Sequence, residues 1–401
     1  MKIGVPLINS DPNYRGGSNS FTEGLLGGLV KEDRRNEYYI LIYERNRSFY
    51  EKYISKRFHL VAFPNLDRQR QLFNSYLLLI FTAPFLRNFY YYIESILYTS
   101  LINKINQLNL DVIYSSSMPF FPMAVKGKLV ISPHDVQHEH FPEYFTRIER
   151  WYRATVFPIS FRIADVIQAS SDFMKRDFHQ AMKAPLKKIV VIPEGVMGVF
   201  LNFIPRKDLS EGFLKKYSLK PNYLFYPAQH WPHKNHITLL KAIKYLKEKY
   251  SMEVAAVFTG EKRPRSSYLY DFVKDNGLEL NVKFVGNVSF SELFYAYYNS
   301  SIVVVPGEYE SSSLPVREAM ALGKPVIAAR NGSNEEINLG NNMVLFSTYN
   351  YKELAENVRK LLKNKELCDN LVVKSRRIVK DYSWKKVARK YVDIFNKGLE
   401  L

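Results

Sequence analysis

Continuous apolar runs of five to eight residues recur along the chain, separated by polar or Gly/Pro-containing segments. In the first half they are IGVPLI (3–8), YYILIY (38–43), DVIYSSS (111–117), KLVISP (128–133), DVIQAS (165–170) and KIVVIP (188–193). A strand with one solvated face alternates apolar and polar side chains. A continuous run is what a strand buried on both faces of a parallel sheet needs. Helical spacing fills several of the intervals, and strand alternating with helix predicts a doubly wound α/β domain.

The pattern lapses near 200–222, where NFIPRKDLSEGFLKKYSLKPN is polar and carries two prolines. This segment predicts a linker. A second series follows: NYLFYPA (222–228), EVAAVFTG (253–260), VKFVG (282–286), SIVVVPG (301–307), KPVIAA (324–329) and MVLFS (343–347), with helices such as HITLLKAIKYLKEKY (236–250) between them. The expected organisation is an N-terminal domain over 1–205 and a C-terminal domain over 206–383. A cleft between two such halves is the expected ligand site. The chain closes on DYSWKKVARKYVDIFNKGLEL, an amphipathic helix.

Residues 72–101 break the rule. Arg87 and Glu94 are the charges in this aromatic-rich stretch, and Arg45, Arg47, Lys52, Lys56, Arg57, Arg68 and Arg70 precede it. A spanning helix needs about 20 clean apolar residues. Pro84 and Arg87 interrupt this one, so it is not read as a membrane span. Two readings stand: a pair of core helices with aromatic packing, or an interfacial surface beside a basic patch, facing an anionic membrane or a lipid-linked substrate.

Length and composition narrow the class. A chain of 401 residues, 46% hydrophobic, can bury two or three cores at roughly 150 residues per domain. Its one cysteine, Cys368, excludes a disulfide framework and points to a reducing compartment. The start, MKIGVPLIN, runs straight into a strand and lacks the features of a signal peptide, so a cytoplasmic protein, peripheral at most to a membrane, is expected. The net charge of +18 favours anionic partners. Lys and Arg are dispersed rather than gathered into one footprint, so nucleic acid is not the expected partner.

The candidate chemistry lies in EYESSSLPVRE (308–318), which places Glu310 and Glu318 eight positions apart. Gly307 ends a buried strand, the serines form a loop, and PVREAMALG is a helix with Pro315 in its first turn and Ser312 or Ser313 as its cap. Glu310 then stands on the loop and Glu318 one turn into the helix, both at the carboxyl end of a parallel strand, where such sheets bind ligands. The backbone N–H groups of Ser312, Ser313 and Leu314 form an anion site at the helix start. Hydroxyl-seeking acids flanking a phosphate-seeking turn match the layout of a nucleotide sugar. The competing structural reading makes Glu310 a surface residue and Glu318 a partner of the helix dipole. YPAQHWPHKNH (226–236) adds Lys234 at a second strand–helix turn, a fixed positive charge where a diphosphate could rest.

These residues resemble the retaining GT-B glycosyltransferases of family 4. The resemblance covers nearly the whole chain and is strongest over 222–337. It is carried by Glu310, Glu318 and the following AMALGKPVIA, by Lys234 as the second member of the family's basic pair, and by the strand ending in Gly260, FVGNVS and NGSNEEI. In the N-terminal half, Gly16 and Gly17 are similar to its glycine loop, SPHDVQHEHFPE to its His-Asp loop, ASSDFMKRDF to its Ser-rich strand–helix turn and VIPEGV to its passage into the linker. The resemblance implies two Rossmann-like domains, with a final helix from about 384 to 401 returning to the first. It implies transfer of a hexose from a nucleotide diphosphate sugar to a saccharide or lipid-linked acceptor, with no cofactor and no catalytic metal.

By the same resemblance Glu310 contacts donor-sugar hydroxyls, Glu318 the ribose, and Lys234 the diphosphate. Gly16 and Gly17 allow backbone approach to phosphate or acceptor, and His134 lies near the transferred sugar. A satisfied buried histidine is the plainer reading of His134, and metal ligation by His134, His138 and His140 is a further alternative. Two departures stand out. The family's arginine five residues before Lys234 is Gln229, with His230 beside it as a candidate source of the missing charge. The usual Gly-Phe-Gly is Ser311, Ser312 and Ser313. Rival functions are a nucleotide-sugar 2-epimerase on the same fold, a basic nucleic-acid-binding protein, and an inactive sugar-binding relative.

Overall fold

The computed structural model describes residues 1–8, 17–65, 89–116, 118, 120, 123–263 and 266–397. Gly16, Arg68, Arg70, Arg87 and the greater part of the 72–101 stretch lie outside the described residues. Two compact units divide the chain. Met1–Gly195 with Trp384–Leu401 form one, and Val196–Ser383 the other.

Among the described residues the first unit holds a seven-stranded parallel sheet. Its strands are β1 (Lys2–Pro6), β2 (Glu37–Tyr43), β3 (Phe58–Phe63), β4 (Val112–Ser115), β5 (Lys128–Ile131), β6 (Val166–Ala169) and β7 (Ile189–Val191), in the order β3-β2-β1-β4-β5-β6-β7. All six apolar runs of the first half supply strands. β3 was not among them. It is an edge strand whose ends, Phe58 and Phe63, are buried while the four residues between are half-exposed. Its sequence, FHLVAF, is apolar at every position but His59.

The helix Gly17–Glu32 follows β1 and packs against the helix Trp384–Lys397. Glycine makes the close approach possible: a Cβ on Gly24 would lie 2.1 Å from Trp384 Nε1, and one on Gly28 would lie 2.8 Å from Trp384 O. The helix Trp384–Lys397 also lays Tyr391 and Phe395 on Tyr114 of β4, with ring centroids 5.4 Å apart in each pair. Its polar face pairs Arg389 Nε with Glu32 at 2.8 Å. Two helices, Tyr90–Leu97 and Thr99–Asn106, with Tyr98 between them, turn Tyr90, Leu101, Ile102 and Ile105 inward beside the buried Tyr98 and leave Tyr92 and Ile96 exposed at 62% and 68%.

The second unit holds a six-stranded parallel sheet among the described residues. Its strands are β8 (Tyr223–Pro227), β9 (Ala256–Thr259), β10 (Val282–Gly286), β11 (Ser300–Val305), β12 (Val326–Ala329) and β13 (Val344–Phe346), in the order β10-β9-β8-β11-β12-β13. Tyr223, Leu224, Phe225 and Tyr226 of β8 are wholly buried. Each such side chain contributes about 1.5–3 kcal/mol by leaving water. In both sheets the strand order reverses once, between β1 and β4 and between β8 and β11. At such a reversal the loops leaving neighbouring strands diverge and open a crevice at their carboxyl ends. No helix among the described residues is long and apolar enough to cross a membrane.

Candidate functional site

In the second unit the loops after β8 and β11 leave the sheet side by side at its reversal. The first carries a short turn, Pro232–Lys234, into the helix His236–Tyr250. Asn235 makes the corner in a left-handed conformation (φ 50°) that asparagine tolerates. Its Nδ2 donates to Pro306 O at 3.0 Å, while Tyr226 Oη donates to Lys234 O at 3.0 Å and the Glu308 N–H to His233 O at 3.0 Å. The backbone of Lys234 is thus fixed from both sides, and the two loops are stitched together.

The side chains complete the join. Lys234 Nζ donates to Glu310 Oε1 at 2.8 Å, with the lysine side chain 23% exposed and the glutamate 6%. Gly307 makes room for this carboxylate, since a Cβ there would stand 2.5 Å from Glu310 Oε1. Glu310 Oε2 makes no hydrogen bond among the described residues. The loop after β12 braces the arrangement, as Asn331 Nδ2 donates to Gly307 O at 3.1 Å and Ser333 Oγ to Ser311 O at 2.9 Å.

The helix Leu314–Ala321 begins immediately afterwards, with Pro315 in its first turn. The expected serine cap is not made. Ser313 takes the cap position in a left-handed conformation (φ 51°) and sends no side-chain bond to the helix. Its buried Oγ has no partner among the described residues. Glu318 points elsewhere than Glu310. Tyr297 Oη, from the helix Phe290–Tyr298, donates to Glu318 Oε2 at 2.7 Å. Burial pushes the Glu318 carboxyl up to about 7, against the opposing pull of that hydrogen bond.

A carboxyl raised in the folded state keeps its proton where the unfolded chain has lost it. The stability it contributes is therefore complete below about 4.5 and is lost as pH rises through about 7. Glu318→Gln should remove this dependence. Between pH 4.5 and 7 the wild type should lose about 2–3 kcal/mol relative to the variant, at 1.36 kcal/mol per unit. Parallel denaturant titrations across that range measure it, and two curves that stay parallel would contradict it.

Other expected residues find different places. His230 is buried, with Nδ1 3.2 Å from Tyr270 Oη and its ring against His236 and Phe284. Burial lowers its pKa to about 4. The ring is neutral near pH 7, and the expectation that it replaces a missing positive charge is corrected. Gln229 turns its carbonyl toward the loop after β9, where Oε1 accepts from the Glu261 N–H at 3.0 Å and from Arg263 Nε at 3.1 Å. Gly260 has φ +102°. A Cβ there would lie 2.3 Å from Ala228 O, so only glycine lets these two loops meet. Arg263 was not foreseen. Its signal was the basic run EKRPR after Gly260.

In the first unit, His134 is held in a left-handed conformation (φ 65°), unusual for a bulky residue. Its Nε2 lies 2.8 Å from Ser116 O, past β4, and its Nδ1 3.2 Å from Glu194 Oε1, past β7. Both partners are acceptors, which suits a doubly protonated ring. Burial opposes that charge, but the Glu194 hydrogen bond and charge and the Ser116 carbonyl outweigh it and raise the pKa. Thr22 Oγ1 donates to Ser116 Oγ at 2.9 Å, tying in the helix that Gly17 begins. Glu194 is a partner that the sequence did not single out. His138 and His140 go separate ways, the first packed on Phe157 and the second 2.6 Å from Asp177 Oδ1. No group of three or more His, Cys, Asp or Glu among the described residues is placed to hold a metal ion.

Comparison with known proteins agrees with this geometry. Residues 213–378 match the family model described as Glycosyl transferases group 1, and residues 15–197 match Glycosyltransferase Family 4. The O-antigen chain mannosyltransferase B of Escherichia coli is 26% identical over 228 residues, 57% of this chain and 59% of that protein. The O-antigen chain mannosyltransferase RfbU of Salmonella typhimurium is 27% identical over 202 residues, 50% of this chain and 51% of that protein. The chain thus matches less than two thirds of the length of these relatives. Among solved structures, Anabaena Alr3699/HepE in complex with UDP and glucose superposes with a TM-score of 0.73 at 17% identity, covering 99% of this chain and 100% of that one. A glycosyltransferase from Rickettsia africae superposes with a TM-score of 0.72 at 16% identity, covering 100% and 98%. With both halves matched by models of one enzyme class on two Rossmann-like sheets, the chain belongs to the GT-B glycosyltransferases of family 4.

Proposed function

We propose that the protein is a retaining hexosyltransferase that moves a sugar from a nucleotide diphosphate donor to a saccharide or lipid-linked acceptor in glycan assembly, without a cofactor or catalytic metal. The observation that carries this reading is the Lys234–Glu310 pair at the reversal of the second sheet, beside a helix start whose cap residue, Ser313, sends it no side-chain bond. The cation and the helix start suit the diphosphate. Glu310, with Oε2 uncommitted, suits sugar hydroxyls, and Glu318 suits the ribose. The UDP complex of Alr3699/HepE and the mannosyltransferase relatives support a nucleotide-sugar donor and a saccharide acceptor.

In the proposed reaction the bond from the sugar's anomeric carbon to the diphosphate oxygen breaks. The acceptor hydroxyl bonds to that carbon on the same face and gives its proton to the departing diphosphate. Lys234 stabilises the charge that grows on the leaving oxygen. Glu310 orients the sugar. A cytoplasmic setting with peripheral contact to an anionic membrane belongs to the same reading, supported by the net charge of +18 and the exposed Tyr92 and Ile96.

Incubation with a panel of nucleotide sugars, with and without candidate acceptors, tests the reading. One donor should release nucleoside diphosphate in an acceptor-dependent way and give a product of unchanged anomeric configuration by NMR. A C2-epimerised sugar formed without acceptor would favour the epimerase, and an inverted product would overturn the retaining mechanism.

A further inference from the structure

We infer that Arg263 is a second cation of the diphosphate site, held in position by Gln229. The inference rests on the donor reading above and concerns residues to which that reading gives no such role. β9 is the neighbour of β8 in the sheet, so the loops after them leave from one edge. Gly260 lets those loops touch, and two hydrogen bonds fasten them: the Glu261 N–H to the side-chain Oε1 of Gln229 at 3.0 Å, and the His230 N–H to the backbone Glu261 O at 3.2 Å.

Arg263 is built into this junction. Its Nε donates to Gln229 Oε1 at 3.1 Å, its Nη2 lies 3.1 Å from Glu261 Oε2, and its Cζ stands 5.1 Å from the centre of the Trp231 ring. The side chain is 18% exposed. Trp231 O in turn accepts the Lys234 N–H at 3.0 Å, so one loop supports both Arg263 and Lys234. Nη1 makes no hydrogen bond among the described residues.

A guanidinium held at Nε by Gln229 and set against the Trp231 ring has lost much of its side-chain freedom before any ligand arrives. Its Glu261 partner is 53% exposed, and such pairs are weak, so a phosphate oxygen can take its place. The remaining edge presents the parallel N–H pair that phosphate accepts in two-point fashion. Gln229 carries no charge. Its carbonyl accepts from Arg263 without neutralising it, which a carboxylate there would do. Gln229 is therefore a positioning residue, and the charge comes from the adjacent strand's loop.

The test is calorimetric titration of the full chain with UDP, GDP, ADP and dTDP and with the matching nucleosides, for wild type, Lys234→Ala, Arg263→Ala and Arg263→Lys. A diphosphate that binds wild type should bind Arg263→Ala about 10- to 100-fold more weakly, as loss of a charge-assisted bond implies, with nucleoside affinity unchanged. Arg263→Lys, with charge but no fork, should fall between, and it carries the test if Arg263→Ala does not fold. Equal loss of diphosphate and nucleoside affinity would mean that Arg263 only rivets the loops, and would overturn the inference. So would wild-type affinity in Arg263→Ala while Lys234→Ala binds weakly, which would leave the donor reading standing. If wild type binds no diphosphate, the donor reading falls and takes this inference with it.

Discussion

Lys234→Ala is expected to lower kcat for sugar transfer by about 10²- to 10³-fold, the usual cost of removing one preorganised group from a developing oxyanion. Lys234 is anchored through its carbonyl by Tyr226 and through the next residue, Asn235, by Pro306 O, and its Nζ is already in place on Glu310. An ammonium that needs no reorganisation is worth more to the transition state than to the ground state, so KM should change much less than kcat. The variant leaves a nearly buried Glu310 carboxylate without its cation, at about 1–3 kcal/mol. A melting temperature measured beside the kinetics separates that loss from the catalytic one. A variant that keeps full kcat would remove Lys234 from the chemistry.

How much of this was legible in the sequence varied with the range of the interaction. Strands buried on both faces announced themselves as continuous apolar runs, and Lys234 and Glu310 stood at the ends of two of them. β3 was passed over although FHLVAF is nearly all apolar, because it follows a basic stretch that reads as surface. The serine cap was a local inference that failed for a local reason: Ser313 turns left-handed to bring the chain into its helix, which carries its Oγ away from the helix N–H groups. The charge assigned to His230 failed because the loop folds that ring beneath Tyr270 and Phe284. The basic run EKRPR marked Arg263 as a cation but not its partner. Its contact with Gln229 joins residues 34 positions apart on loops from adjacent strands, and strand order, not spacing, makes them neighbours. Likewise, Glu310 and Glu318 suggested one shared space by their spacing, yet each has its own partner, Lys234 and Tyr297.

The second large effect is expected at Glu310. Its Oε1 holds Lys234, and its Oε2, with no hydrogen bond among the described residues, suits a sugar hydroxyl. Glu310→Gln keeps the shape and much of the hydrogen bonding but removes the charge that sets the lysine and orders the sugar. Loss of either costs about 100-fold when the reacting carbon shifts by about 1 Å. Because the amide fits the space left by Gly307, the fold should persist. Transfer of labelled sugar by Glu310→Gln at saturating donor, beside wild type, is the most direct measurement of whether the Lys234–Glu310 pair performs the reaction. A fall in kcat of about 100-fold with an unchanged melting transition is the predicted result. Transfer at the wild-type rate by a folded variant would contradict it.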